Sequence, residues 1–310
     1  MRPEGLKTKI FLDSGDPKET RDIISVLGFL DGQTTNPTLI AKNPEARARL
    51  ESGKKFERGE ALALYRRVVE EISSLIPEGS VSVEVYSDKD TSAGEMFDEG
   101  KEMFGWIPNA HIKFPITKEG LGAAERAVWE DMRVNMTLCF TEEQAAAVYA
   151  ATKGASRGDV FISPFVGRLD DIGLNGMDLI ANILRMYGEG LAMGERGESK
   201  GHAPTPNDVM VWGHVEVLAA SVRSLDHFFE AIRLGSDIIT APYKILKKWA
   251  EKGMAVPDES FIYNAKKLKS IPYRGLSMDH PWESYDISHD LTKKGVERFA
   301  ADWNGLIDKI

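Results

Sequence analysis

Cysteine is nearly missing: the chain of 310 residues has one, Cys139. A single thiol forms no internal disulfide and cannot build a multi-cysteine metal site. Long apolar runs are lacking too; no stretch of about 18 apolar residues occurs, so no membrane-spanning helix is expected. The opening Met1-Arg-Pro-Glu-Gly-Leu-Lys-Thr-Lys has no apolar core of the kind a secretory signal needs, and a cytoplasmic protein is the expectation. Positive charge is in short supply: 39 Lys plus Arg face 48 Asp plus Glu, a formal net charge of −9. Such a chain repels a phosphate backbone unless its basic residues cluster, which argues against nucleic acid as a partner. A pocket that gathers a few arginines can still take a small anion. The six histidines follow no metal-ligand spacing, so no metal site is expected from them. No Gly-x-Gly-x-x-Gly follows the first apolar run, which disfavours a dinucleotide fold.

What is present is a globular mixture, 42% hydrophobic and 28% charged. Apolar runs rich in Val, Ile and Phe fall at 8–13, 32–35, 80–86, 110–116, 133–140, 159–166, 214–223 and 236–241. Most are apolar on both faces, as strands of a covered parallel sheet are. Amphipathic stretches lie between them, at 18–27, 59–76, 91–106, 119–131, 142–153, 177–187, 225–234 and 243–252. Eight such alternations predict a (β/α)8 TIM barrel over 1–253, with a doubly wound open sheet as the rival. Residues 188–207, rich in Gly and Pro, read as a loop. Residues 254–310 read as a mainly helical extension whose last helix, 291–306, carries Val296, Phe299, Trp303 and Leu306 on one stripe. That stripe needs a partner surface, on the barrel or on a neighbouring subunit, and a homo-oligomer is therefore open.

The polar residues that interrupt the runs carry the chemistry. In a barrel, side chains at the C-terminal ends of the strands converge on one mouth. The first run ends at Asp13 and the second at Thr34-Thr35-Asn36; Glu84 lies in the third and Lys113 in the fourth. Asn135 and Thr137 lie in the fifth, Ser163 in the sixth with Arg168 just beyond, and Ser221 and Arg223 in the seventh. Lys113 stands among Ile112, Phe114, Pro115 and Ile116. Burial favours the neutral amine, and a neutral amine is a nucleophile toward a ketone or aldehyde, giving a Schiff base. A buried ion pair made for structure alone is the competing reading of this lysine. Asp13 and Glu84 are carboxylates placed to move protons at such a centre or to pair with it. Arg168 and Arg223, with Ser221, form a candidate anion clamp. His111 and Cys139 read as wall and core.

Four segments resemble the transaldolase family. Asp31-Gly-Gln-Thr-Thr-Asn-Pro-Thr-Leu-Ile is close to its signature, and His111-Ile-Lys-Phe-Pro-Ile-Thr-Lys-Glu-Gly-Leu resembles the segment carrying its Schiff-base lysine. Asn135-Met-Thr-Leu-Cys-Phe-Thr-Glu-Glu-Gln-Ala and Ser163-Pro-Phe-Val-Gly-Arg-Leu-Asp-Asp are similar to two further blocks. The likeness runs from about residue 9 to about 241; the stretch near 190–205 and the tail match no pattern of it. It implies a (β/α)8 barrel, no metal or other cofactor, and sugar-phosphate substrates. It implies that Lys113 forms an imine with a ketose phosphate (sedoheptulose 7-phosphate or fructose 6-phosphate). A dihydroxyacetone unit then passes to glyceraldehyde 3-phosphate or erythrose 4-phosphate, a pentose-phosphate reaction. On the same likeness Asp13 is the acid/base at the cleaved C3–C4 bond, and Glu84 and Thr137 move protons through a water. Asn36 and Asn135 hold donor hydroxyls, Ser163 the C1 end, and Arg168, Ser221 and Arg223 the phosphate. Related fructose-6-phosphate aldolases carry tyrosine where this chain has Phe165; without that hydroxyl, transfer is expected over release. Val222 departs from the aromatic residue the family pattern carries there. An aldolase-like lyase and a non-catalytic sugar-phosphate-binding barrel are the alternatives.

Overall fold

The computed structural model describes residues 1–194, 213–258, 260–265 and 267–308. Eight parallel strands close on themselves in sequence order: β1 Lys9–Asp13, β2 Gly32–Thr34, β3 Ser80–Glu84, β4 Ala110–Pro115, β5 Val134–Cys139, β6 Val160–Pro164, β7 Val215–Ala219 and β8 Ile238–Ala241. Helices wrap the outside: α1 Pro17–Leu27, α2 Pro37–Ala41, α3 Pro44–Glu51, α4 Arg58–Leu75, α5 Ala93–Phe104, α6 Lys118–Trp129, α7 Glu142–Ala151, α8 Val166–Asp171, α9 Gly176–Gly194, α10 Leu225–Leu234, α11 Tyr243–Glu251 and α12 Asp290–Leu306. Ile10, Leu12, Val81, Val83, Ile112 and Phe114 are all buried, because helices cover the outer face and side chains fill the lumen. Short polar residues set the helix starts: the side chains of Asp16, Ser92, Thr117, Thr141 and Ser224 each accept a bond from a first-turn amide. Each such cap contributes about 1 kcal/mol.

Each expected strand is present, trimmed at its ends. The seventh changes most: it stops at Ala219, so Ser221 and Arg223 belong to a loop rather than to one strand face. Ser221 has a left-handed backbone (φ 57°), which ends the extended run. The 188–207 loop is corrected in part, since α9 continues to Gly194. Ile183, Leu184 and Tyr187 are buried on the barrel and carry the helix past Gly188, a residue that costs about 1 kcal/mol in a helix. The remainder of that loop lies outside the described residues. The short helices α2, α3 and α8 escape a periodicity reading because none is longer than eight residues, little more than two turns.

Beyond α11 the chain runs back across the outer helices. Lys269 exchanges backbone hydrogen bonds with Gly173 and Asn175. Asn182 of α9 donates to the Ile271 carbonyl at 3.0 Å, and Gln144 of α7 to the Ile287 carbonyl at 3.0 Å. Helix α12 then lies over the mouth of its own barrel. Its apolar stripe, Val296, Phe299, Trp303 and Leu306, is buried there, with the Trp303 ring 6.0 Å from Tyr65. The Thr292 hydroxyl donates to the Leu138 carbonyl at 3.0 Å.

Candidate active site

Strand register brings the polar residues together. Asp13 lies beside Thr34, Thr34 beside Ser82, Glu84 beside Lys113, and Lys113 beside Asn135. Because alternate residues of a strand face the same side, these side chains share the lumen near its C-terminal end. The Lys113 Nζ is 2.7 Å from Glu84 Oε2, and the two side chains are 4% and 2% exposed. The same amine donates to the Thr35 carbonyl at 3.0 Å. Asn135 donates to Ser82 Oγ at 3.0 Å and accepts from the Ser163 hydroxyl at 2.7 Å. Thr34 donates to Asp13 Oδ1 at 2.8 Å and contacts the Thr240 hydroxyl at 2.6 Å. The Thr137 hydroxyl is buried with no hydrogen-bond partner among the described residues.

Burial pushes the Asp13 carboxyl above the usual carboxylate range; the nearby Lys113 charge and the Thr34 bond oppose this only in part. Glu84 is raised for the same reason, against the pull of Lys113. A carboxyl raised in this way gives up and takes back a proton more readily at neutral pH. Burial also makes the Arg168 charge costly, and Arg298 beside it adds to the cost. That combination favours an anion brought in from outside.

Above the lysine the mouth opens into a cleft of about 220 Å³. Asp13, Asn36, Lys113, Ser163, Phe165, Arg168, Ser221 and Arg223 all line it, while Glu84, Asn135 and Thr137 are buried strand residues outside that lining. Asn36 uses its side-chain oxygen to cap α2 at Leu39, at 2.9 Å, which leaves its amide group to donate. Arg168 stands between the Phe165 and Phe299 rings, 5.0 and 5.4 Å from their centres. Arg223 makes a two-pronged ion pair with Asp171. Gly167 lets this loop approach: a Cβ there would fall 2.5 Å from the Ser221 carbonyl oxygen and 2.5 Å from Arg223 Nε.

Several residues escaped the sequence reading. Lys42 and Arg298 line the same cleft but sit on helix termini and surfaces, where a charge is ordinary. Ser82 and Thr240 are short polar residues that pass for strand alternation. Larger clefts of about 550 and about 950 Å³ lie at the opposite end of the barrel. Several of their charges are already engaged, as in the Lys9–Glu216 and Arg157–Asp237 pairs. Among the described residues no group of His, Cys, Asp and Glu could hold a metal ion, and no helix is long and apolar enough to cross a membrane.

Comparison with known proteins adds sequence-wide evidence. The model of the family described as transaldolase/fructose-6-phosphate aldolase matches residues 10–310. The match takes in the tail, which the quoted motifs do not reach. A probable transaldolase of Dehalococcoides mccartyi is 32% identical over 299 residues, 96% of this chain and 99% of that protein. One of Paracoccus denitrificans is 34% identical over 302 residues, 97% and 99% of the two chains. One of Caulobacter vibrioides is 36% identical over 295 residues, 95% and 96%.

Proposed function

We propose a transaldolase reaction at the Lys113 amine of this chain, which belongs to the transaldolase/fructose-6-phosphate aldolase family. The observation that carries the proposal is the buried amine held between Glu84 and the Thr35 carbonyl, at 2.7 and 3.0 Å, beneath a cleft lined with cations. In this reading the ammonium gives a proton to Glu84, and the neutral amine attacks the C2 carbonyl of a ketose phosphate. The carbinolamine loses water to form the imine, with Glu84 and Thr137 passing the protons through a water molecule. Asp13 takes the proton of the C4 hydroxyl; the C3–C4 bond breaks, its electron pair enters the imine, and an aldose phosphate leaves. The enamine then adds to the aldehyde carbon of a second aldose phosphate, Asp13 returns the proton, and hydrolysis frees the lysine.

Asn36, Asn135 and Ser163 hold the hydroxyls of the three-carbon unit. Arg168, Ser221 and Arg223 hold the phosphate, with Lys42 and Arg298 adding charge. An incoming phosphate competes with Asp171 for Arg223, which gives the guanidinium an anionic partner at both stages. Phe165 has no hydroxyl to activate water, which favours transfer over release of dihydroxyacetone. A cytoplasmic place in pentose phosphate metabolism goes with this reading.

The test is borohydride reduction with fructose 6-phosphate followed by peptide mass spectrometry. A dihydroxyacetone-sized adduct on Lys113 is expected, and Lys113→Arg should remove it together with activity. An unmodified Lys113 under conditions that trap a control aldolase sinks the proposal. Release of dihydroxyacetone as fast as its transfer to erythrose 4-phosphate would turn the assignment to an aldolase.

A further inference from the structure

We propose that Tyr65, on the outer helix α4, is a positioning residue for the Lys113–Glu84 pair. The inference rests on the Schiff-base reading of Lys113. Tyr65 is 1% exposed and contributes no atom to the cleft. Its hydroxyl reaches the sheet where a ladder bond is missing. Strand β2 ends at Thr34, and Asn36 turns away to cap α2. The amide of Glu84 has thus lost the strand that would have paired with it, and it donates to the Tyr65 hydroxyl at 2.8 Å. A buried amide left unpaired costs free energy, so this bond has a structural reason to exist.

The second bond of the hydroxyl ties it to the other side of the lysine. Tyr65 Oη and Thr35 Oγ1 are 2.7 Å apart. Thr35 spends its own proton on the Ser82 carbonyl, at 2.7 Å, so Tyr65 is the donor between the two hydroxyls. One phenol therefore fixes both the backbone that carries the Glu84 carboxylate and the residue whose carbonyl accepts from Lys113. The amine is held by two partners, and a single side chain registers both. The ring packs edge-on against Trp106 and tilted against Trp303, each 6.0 Å away between centres, and its hydroxyl bonds rather than these contacts set its register on the sheet.

Phenylalanine at 65 keeps the ring and removes both bonds. The Thr35 carbonyl and the Glu84 backbone are then free to drift, and a misplaced nucleophile loses rate steeply. The experiment measures single-turnover borohydride trapping on Lys113, kcat with fructose 6-phosphate and erythrose 4-phosphate, and the inhibition constant of inorganic phosphate. Tyr65→Phe should slow trapping and kcat by about tenfold to a hundredfold while every site is still labelled at long times. The phosphate constant should not change, because the cleft cations are untouched. Thr35→Val, which cuts the same chain at its next link, should give a similar loss, and the double variant should be no slower than the worse single one. Trp106→Phe keeps the phenol bonds, so it should lower the melting temperature with kcat retained.

Should Tyr65→Phe fail to fold, Thr35→Val against Trp106→Phe decides the matter alone. If wild-type Lys113 traps substrate and both hydroxyl variants trap it at the wild-type rate, Tyr65 only packs and the proposal is wrong. If wild-type Lys113 is not trapped at all, the Schiff-base reading falls first and this one with it.

Discussion

In the proposed mechanism Asp13 trades stability for chemistry. Its carboxyl is raised by burial, so the folded protein binds its proton more tightly than the unfolded chain does. A group of this kind stabilises fully below its unfolded pKa, and that contribution is lost as pH rises through the folded pKa. At neutral pH, where Asp13 of the unfolded chain is ionised, this group is therefore a cost to the fold. Asp13→Asn keeps an oxygen for the Thr34 hydroxyl and removes the charge. Activity should fall by about 10²- to 10⁴-fold, as for loss of a general acid/base. The melting temperature should rise above wild type at pH 8, with the gap closing toward about pH 4, the ordinary aspartate range. Calorimetry across that range checks it; a variant less stable than wild type at pH 8 would contradict the sign. At this scale the sequence was readable wherever a charge interrupted an apolar run, as at Lys113 and Glu84. It was silent where a residue at or next to the site sits on a helix of ordinary pattern, as Tyr65 and Arg298 do, or is a short polar residue on a strand, as Ser82 is. Nothing in a linear reading tells that a tyrosine of α4 reaches the end of β2.

Among the elements, α12 does more than cover apolar surface. Gly295 lies against β5, where Leu138 adopts a left-handed backbone (φ 64°) at a register shift in the pairing with β6. A Cβ at 295 would fall 2.6 and 2.8 Å from the Leu138 methyl carbons and 2.9 Å from Arg168 Nη1. Leu138 is fully buried and has little room to yield. Gly295→Ala should thus lift α12 from the strand at a cost of about 1–3 kcal/mol, typical of overpacking. Because Phe299 and Arg298 of the same helix flank Arg168, the Michaelis constant for fructose 6-phosphate should rise several-fold, roughly as for the loss of one charge-assisted bond. Steady-state kinetics with phosphorylated and unphosphorylated donors separates the two effects; equal changes for both donors would mean that α12 does not act through the anion site. The stripe Val296, Phe299, Trp303, Leu306 was readable as a face needing cover. Which surface covers it was not, because that depends on the path of the 38 residues between α11 and α12, residues 252–289, and on Gly295 meeting a strand far away in sequence.

For the molecule as a whole, the question is how a chain of net charge −9 takes an anionic substrate. Besides Lys113, four cationic side chains, Lys42, Arg168, Arg223 and Arg298, line the mouth, with Asp13 the one carboxylate among the lining residues. A chain of this length has a radius of gyration of about 19 Å. The Debye length is about 10 Å at 0.1 M salt, so most surface carboxylates are screened from the mouth while its own cations are not. The local field therefore wins at moderate salt. Raising the ionic strength from about 0.1 M to about 1 M shrinks the Debye length to about 3 Å and should weaken the local field as well. The expected outcome is a several-fold fall in kcat/KM for fructose 6-phosphate, carried mainly by KM, with turnover of unphosphorylated fructose nearly flat across the same series. A fall shared equally by the two donors would place the effect on the fold rather than on the mouth. A rise with salt would mean that the overall negative charge governs encounter, and that the four cations act only after the substrate has docked.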